Sequence, residues 1–150
     1  MNPVFNCIAH VRRLDLGYPS KVPTRVLIAD DSEVIRGLIR RSLEQKPNVE
    51  VCAETGDGQQ TIDAALALAP DLLILDVNMP KLNGIEVASI LRKSLPDAQT
   101  IFFTMYGDYV KNVSLAAGVS VIVSKPDGLG ALLRAVDAVL DKREPAAGLV

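Results

Sequence analysis

The sequence predicts an α/β domain built on a five-stranded parallel sheet with helices on both faces. Three observations carry that prediction. Short apolar runs alternate with stretches of helical period five times between Arg25 and Leu140. Three of the runs, "RVLIA", "DLLIL" and "TIFFT", are apolar at nearly every position, the pattern of strands covered on both faces. The chain has 150 residues, of which 49% are hydrophobic and 23% charged, enough for one domain with a core of its own.

Each element has a local reason. "RVLIA" is a β-rich run that ends at Asp30 and Asp31. Ser32 is placed to cap a helix over Glu33 to Leu43, with Val34, Leu38, Ile39 and Leu43 at helical spacing. "VEVCAE" is the second strand. "GDGQQTIDAALALA" is a turn and then a helix using Ile62, Ala65, Leu66 and Ala69, stopped by Pro70. "DLLILD" is the third strand, followed by a helix from Gly84 to Leu95. "TIFFT" is the fourth, followed by a shorter helix in "DYVKNVSLAAG" with Gly118 as its stop. "SVIVS" is the fifth. The last helix covers Asp127 to Leu140, with Leu129, Leu132, Leu133, Val136 and Leu140 on one face. Crossovers between the parallel strands should be right-handed.

The ends differ from this regular part. Residues 1–23 show no clear period and contain three prolines and a glycine. They are expected to form an N-terminal extension, disordered in part, ahead of a domain over residues 24–141. Val4, Phe5, Ile8, Val11 and Leu14 give the extension some apolar surface. Residues 142–150 are a short C-terminal tail, too short for a second domain, so no output domain is expected. The net charge of −2 and the pI near 5.4 give no basic surplus for nucleic acid or an anionic membrane. No apolar run is long enough to span a bilayer, and the N-terminus lacks the pattern of a signal peptide. Cys7 and Cys52 make no disulfide framework, which fits a reducing cytoplasm. His10 lies in the extension and is read as incidental.

In an open parallel α/β sheet, ligands bind outside the carboxyl ends of the strands. Strand 1 ends there in Asp30 and Asp31, strand 3 in Asp76, strand 4 in Thr104, and strand 5 in Ser124 and Lys125. Alone, an acid at a helix start is a favourable partner of the helix dipole, and Thr104 or Lys125 is an ordinary residue. Together, three carboxylates on one edge repel one another, and a divalent cation relieves that repulsion. Mg²⁺ suits such an oxygen set, with waters and phosphate oxygens completing its shell. A carboxylate can also serve as a nucleophile that accepts a phosphoryl group.

Residues 25–141 resemble the receiver domain of the two-component response regulators, single-domain chemotaxis receivers included. The pieces that carry the resemblance are "LIADDS", "DLLILDVNMPKLNG", "IFFT" and "VSKP", in the family's order and spacing. The resemblance implies a flavodoxin-like, doubly wound sheet of strand order 2-1-3-4-5 with five helices. It implies Asp76 as phosphoacceptor, with Asp30, Asp31, Asp76 and the backbone carbonyl of Asn78 around Mg²⁺. Thr104 matches the switch hydroxyl and Lys125 the lysine that contacts the phosphoryl group. The Lys125–Pro126 bond is expected to be cis. Partners implied are a histidine kinase or phosphotransfer protein, and an output protein. A homodimer through helix 4, strand 5 and helix 5 is a further implication.

Two positions depart from the family's pattern, and a third bears on lifetime. Met105 stands where a small residue usually follows the switch hydroxyl. Ile122 stands where the family usually has the switch aromatic. Tyr106 occupies a position that tunes phosphoryl lifetime in the family. Two other functions compete. An aspartyl-nucleophile phosphatase of the haloacid dehalogenase type would need an acid two residues after Asp76, where this chain has Asn78. A receiver-like binding module that does not cycle phosphate would explain Met105 and Ile122. A flavin site lacks its Ser/Thr/Gly-rich loop after strand 1.

Overall fold

The computed structural model describes residues 22–143; most of the extension and of the tail predicted from the sequence lies outside these residues. Five strands, β1 (Thr24–Ala29), β2 (Val49–Thr55), β3 (Leu72–Leu75), β4 (Gln99–Thr104) and β5 (Val121–Ser124), alternate with five helices. The helices are α1 (Glu33–Glu44), α2 (Gly58–Leu68), α3 (Gly84–Ser94), α4 (Gly107–Ala116) and α5 (Gly128–Arg143). All pairings are parallel, and the strand order is β2-β1-β3-β4-β5. The expected topology is therefore present.

The helices begin where short polar side chains satisfy the first free amides. The Ser32 hydroxyl accepts from Ile35 N–H at 3.3 Å, and Asp57 accepts from Gln60 N–H at 2.8 Å. Asn83 and Glu86 form a reciprocal capping box at the start of α3. α3 begins at Gly84 because only a glycine fits there: a Cβ would lie 2.3 Å from the carbonyl oxygen of Asp76. The start of α3 is thus pressed against the backbone at the end of β3.

The sheet separates two apolar layers. On one face Ile62, Ala65 and Leu68 of α2 and Val87, Ala88 and Leu91 of α3 cover Leu27, Leu73, Leu75 and Phe102. On the other, Ile39 and Leu43 of α1 and Leu132, Val136 and Val139 of α5 cover Val26, Ile28, Ile74 and Ile101. All four residues of β3, the central strand, are buried, as its unbroken apolar run requires.

Three expectations need correction. In α1, Val34 is 71% exposed and Leu38 is exposed too; the face that meets the sheet is the buried pair Ile39 and Leu43 with the half-buried Ile35 beside it. In α2, Leu66 is exposed and Leu68 is buried. Ala69 leaves the helix as a left-handed C-cap, which turns it out of the helix face. The last helix starts at Gly128 and not at Asp127, because Lys125–Asp127 form a 3₁₀ turn opened by Pro126. No helix among the described residues is long and apolar enough to cross a membrane.

Candidate functional site

The carboxyl edge of the sheet collects charge from the ends of several strands. Asp30 directly follows β1, and its amide donates to the Thr55 carbonyl at the end of β2. Asp76 directly follows β3, and its amide donates to the Ala29 carbonyl. The two acids therefore stand side by side on neighbouring strands, and both are buried. Burying an ionised carboxylate is costly without partners. Here each has two. Asp30 accepts from Ser32 N–H at 2.8 Å and from the Lys125 ammonium at 2.7 Å. Asp76 accepts from Asn78 N–H at 3.3 Å and from the same ammonium at 2.9 Å.

The electrostatic consequences differ for the two partners. Burial raises the Asp30 pKa above the usual carboxylate value, and the nearby Asp76 adds to the rise; Lys125 and the Ser32 amide only partly counter it. Burial alone would lower the Lys125 pKa, but its hydrogen bonds to Asp30 and Asp76 outweigh burial, so it lies above the ordinary lysine value. Lys125 is therefore a firmly protonated ammonium between two acids.

Asp31 completes the cluster. One oxygen from each of Asp30, Asp31 and Asp76 lies within 4.8 Å of the others. Asp31 is exposed, and among the described residues its carboxylate has no hydrogen-bond or ion-pair partner. Hard oxygen donors of this number and spacing fit a small divalent cation such as Mg²⁺, with water free to complete the shell on the open side.

The remaining predicted residues lie around this centre. Asn78 is exposed, and its amide bonds to Asp76. Thr104 is fully buried at the end of β4, and its hydroxyl accepts from Tyr106 N–H at 3.2 Å. β4 pairs with β3, and Thr104 itself pairs with Ser124, the neighbour of Lys125. Met105 and Tyr106 are exposed after β4. Ile122 is half-buried and packs against the core layer under α2 and α3. One expectation fails. The peptide bonds of the described residues are all trans, Lys125–Pro126 included. The 3₁₀ turn that starts at Lys125 already directs its side chain over the sheet edge, so a cis bond is not needed for that reach.

The sequence also held two residues whose place at the site was not predicted. The Arg36 guanidinium donates to the backbone carbonyl of Asp30 at 2.6 Å, and Glu54 at the end of β2 pairs with Arg36. Their partners are a backbone atom and another side chain, so no motif marks them. The signal available was positional: Arg36 lies one helical turn past the cap Ser32.

The family model described as response regulator receiver domain matches residues 26–137. The chain belongs to that family. As a receiver domain it is a signalling module of two-component systems, and phosphorylation-linked signalling fits its site. A transcriptional regulatory protein, DegU of Brevibacillus brevis, is 32% identical over 117 residues, which are 77% of this chain and 49% of that protein. A protein-glutamate methylesterase/protein-glutamine glutaminase of Carboxydothermus hydrogenoformans is 36% identical over 106 residues, 69% of this chain and 30% of that protein. The chain thus spans half or less of these relatives, and the part it shares is the receiver. Among solved structures, the receiver domain of AraT from Geobacillus stearothermophilus superposes with a TM-score of 0.73 at 32% identity, covering 80% of this chain and 95% of that one.

Proposed function

We propose that this receiver accepts a phosphoryl group on Asp76 from a histidine kinase or phosphotransfer protein, and that the phosphorylated form regulates a partner protein. The observation that carries the reading is the Lys125 ammonium held between Asp30 and Asp76, beside a third carboxylate, at the carboxyl edge of the sheet. A lysine in that place neutralises the acids at rest and is within reach of a phosphoryl oxygen once Asp76 carries one. Asp30, Asp31, Asp76 and the backbone carbonyl of Asn78 are the groups that would hold Mg²⁺. When bound, that cation would offset negative charge on the phosphoryl oxygens.

In the transfer, a carboxylate oxygen of Asp76 forms the bond to phosphorus as the donor's phosphorus–nitrogen bond breaks. The donor's ring, protonated on its other nitrogen, leaves as neutral imidazole with the bonding pair. Lys125 stays protonated throughout, which its raised pKa supports. The new group adds charge and acceptor oxygens, which draw Lys125 and the Thr104 hydroxyl toward it. Thr104 now bonds the amide of Tyr106. Moving that hydroxyl releases the turn that leads into α4, so the α4–β5–α5 face is the surface proposed to report the change to an output protein or a second copy. The domain is proposed to work in the cytoplasm, where its donor and the reduced Cys52 thiol are both at home.

The test is intact-mass analysis after incubation with acetyl phosphate and Mg²⁺. One phosphoryl group is expected on the wild type and none on Asp76→Asn, whose near-isosteric amide leaves the fold intact. Incorporation into Asp76→Asn would assign another acceptor, and none into the wild type would leave a receiver that only binds partners.

A further inference from the structure

Asp31 is the exposed member of the acid cluster, and nothing among the described residues holds its carboxylate. Its position depends on the backbone that carries it, above all on the Asp30–Asp31 peptide. The oxygen of that peptide is the atom Arg36 holds. Arg36 Nη1 donates to it at 2.6 Å from a half-buried position on the first turn of α1. On its other side the guanidinium faces a carboxylate as an ion pair, without a hydrogen bond from Nε. Arg36 Nε lies 3.5 Å from a Glu54 carboxylate oxygen, and Arg40 pairs with the second oxygen of the same carboxylate. A Cβ on Gly56 would lie 3.3 Å from Arg36 Nη1, so the guanidinium also rests against the loop after β2. The chain Arg40–Glu54–Arg36 thus links α1, the end of β2 and the peptide between the two acids.

We propose that Arg36 is a positioning residue for the cation site: anchored by Glu54, its guanidinium sets the orientation of the Asp30–Asp31 peptide and so aims the Asp31 carboxylate at the cation. This rests on the Mg²⁺ assignment made above. A planar, forked cation suits the task, because it can donate to a carbonyl along one edge and face a carboxylate along another. The sign of the effect separates positioning from charge. A nearby positive charge repels Mg²⁺, so if charge were the whole role, removing Arg36 would tighten Mg²⁺ binding. If it positions Asp31, removing it loosens binding. Outer groups that orient metal ligands are commonly worth tenfold or more in affinity.

The experiment is a Mg²⁺ titration of the full chain, followed by amide NMR shifts, on wild type, Arg36→Ala, Arg36→Lys, Glu54→Gln and Asp31→Ala. It is run in high salt, which screens the lost charges themselves. Arg36→Ala is expected to weaken Mg²⁺ by about tenfold. Arg36→Lys should fall between it and the wild type, since the charge remains but the fork is lost. The rate of loading from acetyl phosphate should recover at saturating Mg²⁺, because the acceptor itself is untouched. Should Arg36→Ala fail to fold, Glu54→Gln carries the test, with a smaller weakening expected. Unchanged or tighter Mg²⁺ binding in these variants, with Asp31→Ala clearly weakened, overturns the proposal and leaves the metal assignment standing. Unchanged binding in Asp31→Ala removes the metal assignment, and the proposal with it.

Discussion

The two sides of the sheet's carboxyl edge are built on opposite terms. On the β1–β3 side, Asp30 and Asp76 are buried, charged and tied to Lys125. On the β4–α4 side, Thr104 is buried but neutral, and Met105 and Tyr106 stand out in solvent. The first side holds its groups by electrostatics that would be expensive to leave uncompensated. The second is held by packing, by the Tyr109 N–H bond to the Tyr106 carbonyl and by the Tyr106 amide bond to the Thr104 hydroxyl, the last of which is cheap to exchange. A switch needs both: a rigid half to do chemistry in a set geometry, and a half that changes partner at low cost.

The sharpest way to break the rigid half is Lys125→Met. It leaves two buried carboxylates without their shared cation. Removing one partner of a buried ion pair costs about 3 kcal/mol at the low end, and that loss is expected at neutral pH. The pH dependence has a definite sign. Asp30 already has a raised pKa, so the fold holds its protonated form better than water does, and ionised Asp30 is a cost at neutral pH that Lys125 offsets. Without Lys125 that pKa rises further. The deficit of the variant therefore shrinks as pH falls through the raised Asp30 value and the carboxyl becomes neutral. Urea melts of both proteins at neutral and mildly acidic pH measure this; a deficit that stays constant over that range would show the pair to be solvated.

This half was also the legible one. An acid at the end of a fully apolar strand is a local contradiction in the sequence, and Asp76 after Leu72–Leu75 announces itself for that reason. The alternation of apolar runs with helical stretches announced a parallel α/β sheet, while the strand order came only from the resemblance to receiver domains. What could not be read was geometry that depends on neighbours distant in sequence. Val34 and Leu38 satisfy helical spacing as well as Ile39 and Leu43 do, and only the width of the sheet face decides which pair is covered. Arg36 was hidden because its partner at the site is a carbonyl oxygen, which every residue has. The peptide before Pro126 is trans, and Lys125 reaches both acids from the 3₁₀ turn with that trans bond.

The switching half should respond more weakly, and Gly107 is a place where it packs closely. A Cβ there would lie 2.8 Å from Ser124 Oγ and 3.4 Å from Ile122 Cγ2. Gly107→Ala must push α4 or Ser124 aside, at a cost of about 1 kcal/mol for modest overpacking. Ser124→Ala removes the nearer atom and should restore most of the loss. A double-mutant cycle on thermal stability reads the coupling. Strictly additive effects would mean that α4 does not start against β5 as the structure has it.

The smallest effect on stability and the most informative on timing belongs to Met105. Its side chain is 60% exposed, so Met105→Ala should leave stability within about 0.5 kcal/mol. Its place in the chain, next after Thr104 at the carboxyl edge of the sheet that carries the acid cluster, is what matters. Hydrolysis of an aspartyl phosphate needs water in line with the breaking bond, and a long flexible side chain at that edge crowds the approach. Small donors use the same opening. Met105→Ala is therefore expected to shorten the lifetime of the phosphoryl group and to speed loading from acetyl phosphate, both by a similar factor, while loading from a protein donor changes less because the partner displaces the side chain on docking. Following the phosphorylated fraction by intact mass gives both rates. If neither moves, the exposed methionine points away from the site and does not gate it.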